Sequence, residues 1–142
     1  MPDISQYTRQ ALLNAFLGKT SAFGALASRP TIYIGLSSTT PTSSGGNVTE
    51  PSGGGYARVA TAPTDWGTAS AADPSEATNA AKIDFGTASG TWVSGANLTH
   101  AVAYDAATDG NFLGSGALAV AKPVFDGDPA EIPIGEAKIR FA

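Results

Sequence analysis

The sequence predicts an all-β fold: an antiparallel β-sandwich, jelly-roll-like in topology, preceded by one short N-terminal α-helix. Three observations carry that expectation. Beyond Arg29 the apolar residues alternate with period two, as on strands that bury one face. The alternating runs are short and separated by clusters of Gly, Pro, Asp and Ser, the punctuation of sandwiches and barrels. Helical spacing is confined to residues 1–18, so no helices alternate with strands as a parallel α/β sheet requires.

The helix comes first. Asp3 followed by Gln6 resembles a capping box, with the carboxylate accepting an orphan N–H of the first turn. Tyr7, Ala11, Leu12, Ala15 and Phe16 recur at helical spacing as one apolar stripe, and Gly18 is placed to end the segment. A helix this short must dock to persist. Residues 1–142 are expected to form a single domain, with 1–18 as a helix used for anchoring and 29–142 as the sandwich.

Strands follow in order. Ile32, Ile34 and Leu36 share a face of the first, and Tyr56 to Thr61 and Lys82 to Phe85 are the next two. Leu98 to Asp105 sets Leu98, His100, Val102 and Tyr104 on one side and Thr99, Ala101 and Ala103 on the other. Asn111 to Leu118, Ala121 to Phe125 and Ala137 to Phe141 complete the set. Asp105 to Asn111 reads as a hairpin loop with Gly110 at positive φ, and Asp126 to Pro129 as a second turn. Pro63 to Ala80 reads as a long ordered loop pinned by Trp66, whose indole gains nothing in a free linker.

Composition narrows the function. Of 142 residues 42% are hydrophobic, many of them Ala, and only 14% are charged against the ~25% usual for soluble proteins. A surface of Ser, Thr, Gly and Ala suits a chain whose faces are partly covered by neighbours. A net charge of −4 without a basic stripe argues against a nucleic-acid backbone as partner. There is no cysteine, so neither disulfide nor thiolate chemistry is available. The first residues lack the basic and apolar regions of a signal peptide, and no run approaches the ~20 apolar residues of a membrane helix.

Candidate chemistry meets specific obstacles. The stretch Thr39 to Val59 holds five glycines, yet no Lys follows Gly53-Gly54-Gly55 as a phosphate loop requires, and Tyr56 opens a strand instead. His100 is the only histidine and lies mid-strand, which fits a packed, hydrogen-bonded ring better than a catalytic base. Ser115, between Gly114 and Gly116, misses the spacing of a nucleophile elbow. Asp105, Asp109 and Gly110 match positions 1, 5 and 6 of a Ca²⁺ loop, but Ala107 and Gly116 stand where further ligands belong. That leaves only a Ca²⁺ site shared between subunits. Asp126 and Asp128 are turn formers. No catalytic, cofactor-binding or metal residue is expected. Arg58 and Tyr56 share a strand face, which reads as solvated or as part of an interface.

Several segments together resemble a known family. These are Pro30-Thr-Ile-Tyr-Ile-Gly-Leu36, Glu50-Pro-Ser-Gly-Gly-Gly-Tyr-Ala-Arg58, the Trp66 loop, Ile83-Asp-Phe85, Gly90-Thr-Trp92, Leu98-Thr-His100 and Asp105-Ala-Ala-Thr-Asp-Gly-Asn111. In this order they are similar to small tailed-bacteriophage virion proteins of the tail-fibre-like, head-appendage or decoration kind. Ser94-Gly95-Ala96 departs from the pattern as an insertion. The resemblance implies a non-enzymatic structural protein of the particle surface, assembled in the host cytoplasm. The expected role is capsid decoration or head appendage, bound to capsid or tail proteins, with a homotrimer as the expected assembly. The alternatives are a tail-fibre or baseplate component in host attachment, a carbohydrate-binding module stacking sugars on Tyr33, Tyr56, Trp66 or Trp92, and a polysaccharide hydrolase. Candidate interface residues are Tyr7, Leu12, Phe16, Tyr56, Arg58 and Trp66.

Overall fold

The computed structural model describes residues 5–24, 26 and 29–141, the last by its backbone alone. Helix α1 spans Gln6–Phe16. Eight strands follow: β1 Ile32–Ser37, β2 Val59–Thr61, β3 Ser75–Thr78, β4 Ile83–Thr87, β5 Leu98–Tyr104, β6 Phe112–Lys122, β7 Pro129–Ile132 and β8 Lys138–Phe141, with a 3-10 turn at Pro63–Asp65. A four-stranded antiparallel sheet runs β2-β1-β5-β6, and β3-β8 and β4-β7 form two antiparallel pairs. The fold is all-β, as expected. Its pairings divide as four, two and two, without drawing the two four-stranded sheets of a jelly roll.

The sheet has two covered faces. Ile34 and Leu36 stand opposite Ala103 and Ala101 of β5, which in turn oppose Gly114 and Gly116 of β6. This face joins Ile83 and Phe85 of β4, Ala130 and Ile132 of β7, and Trp66 in the main core. Val102 and Tyr104 are buried too, but they belong to the other face, beneath the loop that joins β1 to β2. Alternation along β5 was therefore legible, whereas two-sided burial was not. Leu98 escapes the alternation because the register breaks between it and His100.

Several boundaries differ from expectation for physical reasons. Residues 111–118 and 121–125 were expected as two strands, but no breaker stands between them, and β6 runs unbroken until Pro123. The ladder of β2 begins at Val59 rather than Tyr56 because Tyr56 and Arg58 turn to other partners. Strand β3 lies inside the segment expected as loop; its sequence SEAT carries little apolar alternation, yet Ser75 and Ala77 are buried. Trp66 does pin this region, donating from Nε1 to Thr61 Oγ1 at 3.0 Å.

Helix α1 is part of the core. Leu13 and Leu17 are wholly buried, while Tyr7 and Leu12 of the expected stripe are exposed. Ala11 and Ala15 of that stripe are buried, and a polar ladder at four-residue spacing ties the helix to residues 69–71. Gln6 donates to the Ala71 carbonyl, Gln10 to the Ala69 carbonyl at 3.1 Å, and Asn14 Oδ1 accepts from Ala69 N at 2.8 Å. The expected cap Asp3 lies outside the described residues; Ser5 accepts from Thr8 N at 3.2 Å. Gly18, at φ +73°, ends the helix in a Schellman motif, with Lys19 N donating to Asn14 O at 2.8 Å.

Candidate functional site

The densest polar cluster is built from the loop that the sequence marks most strongly. Glu50 Oε1 accepts from the Tyr56 hydroxyl at 2.7 Å and from Arg58 Nε at 3.0 Å, and Oε2 accepts from Arg58 Nη2 at 2.6 Å. The Tyr56 oxygen also accepts from Leu36 N of β1 at 2.9 Å. Arg58 Nη1 reaches across to the hairpin after β5, donating to the carbonyls of Ala106 at 3.0 Å and Asp109 at 2.8 Å. Its guanidinium lies 3.6 Å from the centre of the Tyr104 ring. One side chain thus holds together the β1–β2 loop, a sheet face and the neighbouring hairpin.

Packing makes this arrangement narrow. Tyr56 stacks on Phe85 at 6.2 Å and meets Trp92 edge-on at 5.2 Å. Trp92 Nε1 donates to Gly54 O at 2.8 Å. Gly54 has φ +60°, and a Cβ there would sit 2.8 Å from the Gly90 carbonyl oxygen, so only glycine fits. In β1, a Cβ on Gly35 would lie 2.6 Å from both Glu50 Oε1 and the Tyr56 hydroxyl. A glycine inside a strand marks such a close approach, and this signal was available in the sequence.

Electrostatics follows from the contacts. Burial alone would raise Glu50, but the hydrogen bonds from Arg58 and Tyr56 and the Arg58 charge hold its carboxyl below the ordinary value. Burial and then the Glu50 carboxylate push the Tyr56 phenol far up. Arg58 is held more firmly charged by its bonds to Glu50. The result is a carboxylate, a neutral phenol and a guanidinium that satisfy one another. Such a set braces the fold and leaves no group poised for proton transfer.

The other candidates are also absorbed by local structure. His100 is half-buried with its Nδ1 2.8 Å from the Thr99 hydroxyl. The Asp105 carboxylate accepts from Asn111 N at 2.6 Å and from Asn111 Nδ2 at 2.8 Å, closing the hairpin loop in which Gly110 has φ +76°. Asp128 Oδ2 accepts from Phe125 N at 2.9 Å, closing the second turn. Among the described residues no three His, Cys, Asp or Glu converge as a metal site.

A family model described as podophage GP4 fiber I protein gp80 matches residues 3–140. The chain belongs to this family. No curated protein matches it. Membership makes it a phage fibre-type structural protein and a component of the virion, which favours the fibre alternative over capsid decoration. In this gp80-family chain the six candidate interface residues separate into two groups. Trp66 is 1% exposed, and Tyr56 and Arg58 are committed to the cluster around Glu50. Tyr7 and Leu12 are exposed, Tyr7 with its ring 5.8 Å from Phe23, and Phe16 is half-buried against the core. Of the aromatics considered as sugar platforms, Trp66 and Trp92 are buried and Tyr33 is half-buried.

Proposed function

We propose that this protein is a non-enzymatic structural element of a podophage fibre, working as a homo-oligomer, with three copies the expected number, through protein–protein contacts at the particle surface. The observation that carries the reading is the family match over residues 3–140, nearly the whole chain, to a fibre protein. Asp105, Asp128 and His100 support it, because the two carboxylates close turns and the ring is bonded to the hydroxyl of its own strand neighbour Thr99. Many copies of a modest interface supply the attachment strength that one copy lacks. Counting the protein against the major capsid protein in purified particles tests the assignment. A fibre component is present in a small multiple of the tail symmetry, at a site visible on the tail. Occupancy comparable to the capsid protein would return the protein to the decoration role.

A further inference from the structure

Strand β6 forms one edge of the four-stranded sheet. From Phe112 to Ala121 it carries no charge and no proline, the residues with which natural edge strands block further pairing. On its core side Gly114 and Gly116 leave room that side chains fill elsewhere. A groove of about 720 Å³ opens there between β6 and β8, floored by Ile34 and Trp66. It meets a second hollow of about 320 Å³ at Leu118 and Ala119, which reaches Phe85, Val124 and Ile132. Both hollows thus lie over buried core residues along one side of the molecule. Exposed apolar side chains stand on the strand and the segments after it: Leu113 at 36%, Val120 at 69%, Phe125 at 55% and Ile134 at 65%. Lys122, Lys138 and Glu136 line the hollows, and none of them makes an ion pair among the described residues.

We propose that this β6 face is the surface through which copies of the chain pack on one another. The four exposed side chains offer on the order of 400 Å², roughly half of the ~800 Å² that each partner of a stable complex buries. The groove walls and the β6 backbone supply the remainder. Charge selects another copy as the occupant. The same rim carries both signs, so a neighbouring copy brings its Glu136 to Lys122, whereas a partner of one sign meets like charge at one end. The proposal names the partner within the fibre reading and rests on that reading only for where the assembly sits.

The full chain, measured by light scattering coupled to size exclusion, should have a multiple of the monomer mass. Val120→Asp with Ile134→Asp should return it to monomer with an unchanged circular dichroism spectrum, since both side chains are exposed. Lys122→Glu should weaken association by about ten-fold, and adding Glu136→Lys should restore it. A wild-type monomer at all soluble concentrations overturns the proposal, as does an oligomer indifferent to the Asp substitutions or a β6 face taken by a different virion protein. The particle count decides the fibre reading separately.

Discussion

Arg58 is a surface-type residue whose side chain is only 8% exposed. Glu50 keeps 21% of its side chain exposed, so Arg58→Ala, which removes the carboxylate's charged partner, should cost about 2–3 kcal/mol in denaturant unfolding. It should also speed amide exchange in the 106–110 hairpin, whose carbonyls lose their donor. Gly35→Ala should cost about 1–3 kcal/mol by overpacking, because the new methyl meets two tied polar atoms. The same cluster sets a pH window. Glu50 is lowered on folding, so its contribution is present above the unfolded carboxylate value and is lost as pH falls through the folded one. Tyr56 is raised, so its contribution is present below the unfolded phenol value and is lost as pH rises through the folded one. Stability should therefore be flat between about pH 5 and pH 10 and fall on both sides, with Glu50→Gln blunting the acid limb. An unchanged acid limb in Glu50→Gln would assign that dependence to other carboxylates.

At the scale of elements, the helix gives the sharpest contrast. Leu13→Ala should cost about 2–5 kcal/mol, whereas Leu12→Ala, one residue away and exposed, should cost less than about 1 kcal/mol. Equal effects would contradict the docking geometry. Apolar periodicity placed the helix correctly and put Ala11 and Ala15 on its inner face, but it missed Leu13 and Asn14 there and counted the exposed Tyr7 and Leu12. Gln6, Gln10 and Asn14 bond backbone groups of residues 69–71, partners some sixty positions away that no local pattern reveals. Strands β1 and β5 were legible because long apolar alternation is unambiguous. Strands β3 and β7 were not, since each has four residues and β7 begins with proline; their burial is decided by the strands they pair with. In the candidate site, the run from Glu50 to Arg58 stood out as a motif. Its role depended on Gly35 and Tyr104, which lie in other strands.

For the whole molecule, Leu13 of the helix and Leu17 at its C-cap share one core cluster with both tryptophans and with residues of β1, β4 and β7. Tryptophan fluorescence and far-ultraviolet circular dichroism should therefore report one coincident unfolding transition. Deleting residues 1–18 should abolish that transition rather than release an intact β-domain. Two separated transitions, or a folded truncated chain, would show that the helix is an appendage.

The brace from Glu50 to Arg58 also bears on where the chain tolerates change. Its residues touch β1, β5 and the aromatic group around Trp92, all within the chain. The run from Glu50 to Arg58 is thus an internal fastening, while the tip of the 105–111 hairpin and the turn at 42–47 are left to solvent. Substitutions at those exposed tips should leave the fold intact, whereas substitutions in the fastening should loosen three parts of the chain at once.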